Sequence, residues 1–294
     1  MGRLGRGLLA AAVLGAVLGG GLYAGRAPLA AAHVLVRGVA AGVYAAPEAG
    51  AEMVTEVIAG EKLAVRRRSG DWLEVAVPDG YTGWVQARDV VPYRPGKGPL
   101  DGVRRKVLIL APVVEAAAGT GGATTLLTMG CELGLLETSA GRYRVKLPEG
   151  SGWVPAEAGR VLPVDARPPR GTRADVIRTA QRFLGTPYVW GGTTALGIDC
   201  SGFTYRVYQV NGIRLPRDAD RQFDAPRARP VDKPAPGDLV FFSGSHAGLH
   251  GVSHVGIYLG AGEFIHASSG RGVVVNRLDD PYYRDHYLGA RSFL

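Results

Sequence analysis

The sequence predicts an α+β domain, helices packed on an antiparallel sheet, preceded by two small all-β barrels. Three observations carry that reading. A segment of helical periodicity near residue 173 precedes a series of strand-like runs, the stretch before it repeats itself, and a proline- and arginine-rich segment separates the two regions. A chain of 294 residues with ample apolar content has room for two or three compact units.

The first element is not part of any core. Arg3 and Arg6 precede the apolar run "GLLAAAVLGAVLGGGLY", and "PLAAAH" follows with small residues suited to cleavage near Ala32. Residues 1–32 therefore read as a secretory signal. The run is short and glycine-rich for a membrane span, and no cysteine follows it that could carry a lipid anchor. The expectation is a secreted or cell-envelope protein with no stable membrane partner once the signal is removed.

The repeat comes next. "VAVPDGYTGWV" (Val75 to Val85) returns as "VKLPEGSGWV" (Val145 to Val154), about seventy residues later and one residue shorter. Each copy consists of short alternating strands separated by Ser-Gly, Pro-Asp-Gly or Pro-Glu-Gly turns, the pattern of a small closed barrel. The copies span residues 34–95 and 103–163. "PVDARPPRGT" has no apolar period, which makes 164–172 a linker, and the last domain covers 173–294.

In that domain Val176, Ile177, Ala180, Phe183 and Leu184 recur at helical spacing up to Gly185. A second helix follows Cys200, with Phe203, Val207 and Val210 on one face and a stop at Asn211-Gly212. The strands come afterwards, in "DLVFFSG", "HVGIYLG", "EFIHAS" and "GVVVNRL".

Cys200 is one of two cysteines. Cys131 reads as a small buried hydrophobe, and the two sit in different domains, so no disulfide is expected. A cysteine at a helix start meets free N–H groups and the positive end of the macrodipole, which predicts an acidified thiol. A nucleophilic thiolate needs a base and a group that orients the base. His254 and His266 lie equally far from Gly260 in a predicted hairpin, which makes them directly opposed, with Cβ atoms roughly 5 Å apart. His254 is assigned as base and His266 as orienter. A metal reading exists, since His246, His250 and His254 are spaced by four, but the intervening glycines break the helix it needs. No metal or other cofactor is expected. The net charge of +8 includes the arginines of the signal and lacks lysine blocks or interleaved aromatics. That argues against nucleic acid and for an anionic surface such as a cell wall.

The unit with a Gly-Asp-Trp turn and a closing "GWV" resembles bacterial SH3-type domains. "GTPYVWGG", "DCSGF", "PRDADRQ", "PGDLVFF" and "HVGIYLG", in the order cysteine, histidine, histidine, resemble the NlpC-type cysteine peptidases, a papain-like family that cuts peptidoglycan stem peptides. The resemblance implies a nucleophile at Cys200, a base at His254 and a polar third member at His266. It places Tyr188 beside the nucleophile as an oxyanion donor and associates Asp199 and Ser201 with substrate binding. Arg217, Asp218 and Gln222 fall on a segment that lines the pocket, where Ala219 replaces a serine found in some relatives. Trp190 reads equally as pocket wall or core.

Relatives with two such barrels cleave between D-γ-glutamate and the L-diamino acid and favour a free N-terminal L-alanine. The first barrel then supplies an acidic group for the ammonium, with Glu61 and Tyr81 as candidates. The expected partners are stem peptides or muropeptides, and the expected state is a monomer. Two alternatives stand beside this reading: a thiol acyltransferase or amidase using the same residues, and a non-catalytic wall-binding protein.

Overall fold

The structure, a computed structural model, describes residues 33–118, 124–244 and 251–294. The predicted signal, and with it His246 and His250 of the metal reading, lies outside the described residues.

The first barrel is one antiparallel sheet of seven strands. Its order is Met53–Ile58, Ala40–Tyr44, Thr82–Gln86, Trp72–Ala76, Lys62–Ser69, His33–Val36 and Val90–Pro92. Inward-facing Val36, Val43, Leu63, Val75 and Val85 are fully buried and form its core. The second barrel has the corresponding strands, divided between a five-stranded sheet and the pair Val113–Ala116 and Thr125–Thr128. Lys62–Ser69 corresponds to Glu132–Ser139, Trp72–Ala76 to Arg142–Lys146 and Thr82–Gln86 to Ser151–Pro155. The long strand of each copy shifts register at the same place, between Val65 and Arg67 in one and between Leu135 and Glu137 in the other. A bulge there bends the strand so that it serves both sides of a small barrel.

The last domain begins with α1 (Arg173–Gln181), whose start is fixed by a reciprocal capping box between Thr172 and Asp175. Then come α2 (Cys200–Val210), α3 (Ala219–Phe223) and, near the end of the chain, α4 (Pro281–His286). A six-stranded antiparallel sheet has the order Arg229–Val231, Tyr287–Ser292, Leu239–Ser243, Val252–Gly260, Glu263–Ser268, Gly272–Arg277. Helices α1 and α2 cover one face, and Phe183, Phe203, Val207, Phe241, Val255 and Ile265 form the shared core.

Helix α2 is buried on more than the single apolar face its periodicity predicts, because Thr204, Arg206 and Tyr208 are buried as well. It is enclosed by the sheet on one side and the barrels on the other. Arg206 makes this possible by satisfying its guanidinium within the interface, donating to the carbonyl and hydroxyl of Thr193 at 3.1 Å each and to Gln209. A side chain at Gly130 of the second barrel would collide with that guanidinium.

The cores are continuous across the domains. Leu108, Met129 and Leu162 of the second barrel belong to the core cluster of the last domain, and Ile58 and Ala59 of the first barrel belong to the second barrel's. The cleft-side seam is polar. Glu56 accepts from the Thr193 N–H at 3.0 Å, and Arg217 donates to Thr55 at 3.2 Å. At Gly191 the backbone has φ +78°, and an added Cβ would strike the Met53 carbonyl of the first barrel.

Gly191 thus carries a testable load. Gly191→Ala must change backbone conformation or push the barrel away, and the expected destabilisation is about 1–3 kcal/mol. A lowered denaturant midpoint in chemical unfolding is the expected outcome; an unchanged midpoint contradicts the close approach.

Candidate active site

The site is built on the start of α2. Asp199 is its N-cap and accepts from the Gly202 N–H at 2.6 Å, so Cys200 is the first helical residue. The Asp199 carboxylate also accepts from the Gly191 N–H at 2.8 Å and forms a two-pronged ion pair with Arg217, at 2.5 and 3.0 Å. Arg217 in turn donates to the Ser201 hydroxyl at 2.9 Å. Both members of the pair are buried. Burial opposes the charge on Arg217, and the adjacent Asp199 outweighs it, so the guanidinium is held charged more firmly than usual.

Gln222 on α3, fully buried, reaches back to the same helix start. Its amide donates to the Ser201 carbonyl at 3.1 Å and accepts from the Thr204 hydroxyl at 2.7 Å.

The backbone N–H groups of Val255, next to His254 on its strand, and of Ser201 favour a negative charge on the Cys200 sulfur. Burial first, and then the Asp199 charge, push the thiol up to about 12, against those N–H groups and Arg217. The acidified thiol expected from a helix start is corrected here. The macrodipole acts, but burial and the N-cap carboxylate outweigh it.

His254 and His266 face one another, Nε2 to Nδ1 at 2.7 Å, with rings edge to face. They meet by a different register from the one the sequence suggested. The hairpin pairs Ile257 with Ile265 and Tyr258 with Phe264, then shifts before Gly260 pairs with Glu263. Carrying that register on puts Gly256, not His254, opposite His266, and an added Cβ at Gly256 would lie 3.1 Å from the His266 Cβ. The histidines are diagonal neighbours on one face, within reach because both side chains are long. Burial and then His266 hold His254 down at about 3, and burial together with Arg271 holds His266 down at about 4 despite its hydrogen bond to Asn276. Burial thus disfavours charge on the thiol and on each imidazole alike.

Two adjoining cavities form the cleft. One, of about 230 Å³, contains Cys200, Asp199, Ser201, Arg217, Asp218 and Tyr81 in its wall; the other, of about 580 Å³, contains His254 and His266. Tyr188, Trp190, Ser253 and Glu52 line both. Burial, and the nearby Cys200 and Asp199, push the Tyr188 hydroxyl up, so it stays protonated and able to donate. Trp190 is half exposed and donates its indole N–H to Glu52 at 2.8 Å, making it cleft wall rather than core. Tyr81 donates to both Asp218 oxygens at 2.7 Å, across the seam between the first barrel and the last domain. Ala219 also lines the smaller cavity.

Glu61 is elsewhere. Its carboxylate accepts from the Ile58 N–H at 3.0 Å, and burial raises it to about 7 in the neighbourhood of Arg206 and Glu132. That region is the junction of the domains, and Glu61 is not part of the cleft wall. The first-barrel carboxylate in the cleft is Glu52, which sequence reasoning missed because nothing local distinguishes it. Only the docking of the barrel selects it. Cys131 is free and fully buried, its thiol pushed up to about 12 by burial.

A thiol at a helix start, lining a cavity that adjoins the one lined by a hydrogen-bonded imidazole pair, is suited to acyl transfer. Comparison with known proteins agrees with that geometry. The sequence pattern of the NlpC/P60 family matches residues 185–292, and that of the bacterial dipeptidyl-peptidase SH3 domain matches 43–90. The gamma-D-glutamyl-L-lysine dipeptidyl-peptidase of Bacillus subtilis is 31% identical over 246 residues, covering 81% of this chain and 80% of its own.

The chain belongs to the NlpC/P60 family. It is a cysteine peptidase with N-terminal SH3-type structure. Dipeptidyl-peptidase 6 of Lysinibacillus sphaericus is 29% identical over 86% of this chain and 94% of its own length. The crystal structure of an NlpC/P60 family protein from Bacillus cereus superposes with a TM-score of 0.79 at 27% identity, covering 89% of this chain and 99% of that one.

The ion pair at the helix start yields a prediction for this NlpC/P60 chain. Arg217→Met leaves the Asp199 charge buried without its counter-ion, and the expected cost is about 3–5 kcal/mol. Thermal unfolding measures it; a loss below about 1 kcal/mol, the range of exposed pairs, contradicts the buried-pair assignment.

Proposed function

We propose that the protein is a secreted cell-wall peptidase that cleaves the D-γ-glutamyl–L-diamino acid bond of peptidoglycan stem peptides bearing a free N-terminal L-alanine. The observation that carries this reading is the closure of the smaller cavity. Glu52 and Tyr81 from the first barrel meet Asp218 from the peptidase domain within one cavity that also holds Cys200. Carboxylates and a hydroxyl in a partly desolvated pocket favour an ammonium group, and the wall they form limits how much peptide precedes the scissile bond. Two relatives that span most of this chain are named gamma-D-glutamyl-L-lysine dipeptidyl-peptidases, which supports the bond assigned.

In the proposed mechanism Cys200 is the nucleophile, His254 the base and His266 its orienter. The thiol proton passes to His254 as sulfur attacks the γ-carbonyl carbon. The nascent thiolate and the tetrahedral oxyanion are met by fixed donors, the N–H groups at the helix start and the Tyr188 hydroxyl; one such donor is commonly worth about 3 kcal/mol of barrier. His254 then protonates the departing amine, leaving a thioester, and water activated by the same imidazole releases L-Ala-D-Glu. Because the thiol and imidazole start neutral, attack moves one proton between neighbours and needs no standing charge in a buried cleft. The leaving diamino acid occupies the larger cavity, whose wall includes Ser268, Ser269, Tyr282 and Tyr283.

The reading assigns 34–95 and 103–163 to the barrels, 164–172 to the linker and 173–294 to the peptidase, acting as a monomer after removal of 1–32.

Cys200→Ala is expected to abolish release of L-Ala-D-Glu from L-Ala-γ-D-Glu-diamino acid tripeptides while the protein stays folded, as followed by mass spectrometry and circular dichroism. Continued cleavage by this variant contradicts the mechanism, and an acylated acceptor in place of free dipeptide would identify a transferase. Glu52→Gln should raise KM about tenfold for the free-amine tripeptide, the worth of about 1.4 kcal/mol. It should leave the slow turnover of the N-acetylated tripeptide unchanged. Equal effects on both substrates would exclude Glu52 as the ammonium partner.

A further inference from the structure

Beyond the two histidines lies a short polar chain that the proposed mechanism has not used. His266 Nε2 is 3.1 Å from Asn276 Oδ1 and 3.3 Å from the Tyr283 hydroxyl. Asn276 stands on the edge strand Gly272–Arg277, paired with Phe264 across the ladder. Its amide is held at both ends. Arg271 donates to Oδ1 at 2.8 Å, and Nδ2 donates to Asp280 at 3.0 Å. Asp280 is the N-cap residue of α4, yet its side chain makes no cap hydrogen bond; the carboxylate accepts instead from Asn276 and from the Arg277 N–H at 3.1 Å.

These contacts have only one consistent direction. A guanidinium only donates and an ionised carboxylate only accepts, so the Asn276 amide cannot flip and its Oδ1 faces His266. An amide oxygen only accepts, so the proton of His266 is on Nε2. A neutral imidazole carries one ring proton, so His266 Nδ1 is a lone pair, and His254 must donate to it from Nε2 across the 2.7 Å contact. His254 Nδ1 is then bare.

We propose that Asn276, locked by Arg271 and Asp280, is a positioning residue that sets the tautomers of both histidines so that His254 offers an unprotonated Nδ1 to the Cys200 thiol. The proposal rests on the assignment of His254 as base. The competing group is the Tyr283 hydroxyl, which can donate as well as accept. With Asn276 removed it can donate to His266 Nε2, moving the ring proton to Nδ1. His254 would then have to accept at Nε2 and carry its own proton on Nδ1, leaving the thiol proton without an acceptor. The groups facing His266 are His254, Asn276, the Tyr283 hydroxyl, the charge of Arg271 and the stacked ring of Phe264 at 4.7 Å.

The test pairs nitrogen-15 imidazole spectra with kinetics on Asn276→Leu and Asn276→Asp. In the wild-type protein the spectra should show Nε2–H on both histidines. Asn276→Leu should convert His266 to Nδ1–H and lower kcat about 10²-fold or more, with KM within about twofold. Asn276→Asp retains the acceptor, so kcat should recover to within about fivefold of wild type. Its added negative charge favours the imidazolium and moves the acid limb of the pH profile upward. A wild-type spectrum with His254 protonated at Nδ1 overturns the proposal whatever the variants do. So does Asn276→Leu with wild-type kcat, or an Asn276→Asp variant as slow as Asn276→Leu with an unmoved acid limb. The spectra stand apart from substrate turnover, so a failure of the proposed function and a failure of the tautomer assignment are separable.

Discussion

The buried pair between Asp199 and Arg217 is the contact on which the cleft depends. Asp199 starts the helix that presents Cys200, and the same carboxylate holds the Gly191 N–H, which fixes the loop bearing Tyr188 and Trp190. Arg217 continues the connection to Ser201, to the Gly192 carbonyl and to Thr55 of the first barrel. One ion pair therefore sets the relative positions of the helix start, the aromatic loop, the segment leading to Asp218 and the barrel that closes the cleft. A buried pair is not an efficient source of net stability. What it supplies here is placement, because guanidinium and carboxylate each have several directed contacts and lose most of them if any one element shifts.

The same pair shapes the electrostatics. Asp199 lies next in sequence to Cys200 and disfavours a standing thiolate, while burial disfavours charge on the thiol and on both imidazoles. The cleft thus resists separated charge at rest, and under the proposed mechanism its fixed donors meet the charge that develops during attack. In the proposed mechanism this makes the direction of the imidazole protons decisive, since a neutral base has a single acceptor nitrogen. The barrels extend the logic outward. Through Glu52 and Tyr81 the first barrel contributes polar groups to the cavity that contains the cysteine, and the second fills the back of α2 with apolar contacts.

Much of this was legible in short motifs. The helix after Cys200, its stop at Asn211, the barrel repeat and four of the six sheet strands of the last domain have local causes in periodicity, turn residues and caps, whereas Arg229–Val231 and Tyr287–Ser292 were not read as strands. What was not legible depended on long-range geometry. The hairpin was placed two residues out of register because the turn at Gly260–Gly262 carries a shift that an alternating pattern does not reveal. Glu61 and Glu52 look alike along the chain, and only the docked barrel separates them. The thiol was expected to be acidified because the helix start is visible in sequence, whereas the burial that opposes it arises from the strand and barrels folded over it. Asn276 gave no signal, since its partners come from a turn, a strand and the start of a short helix.

The central claim is that an acyl group passes through the Cys200 sulfur in this cleft. Rapid-quench intact-mass analysis during turnover of the L-Ala-γ-D-Glu-diamino acid tripeptide, followed by peptide mapping, tests it most directly. The account predicts a transient L-Ala-D-Glu thioester on the peptide containing Cys200. Product formation with no thioester, or a thioester mapped to Cys131, would contradict it.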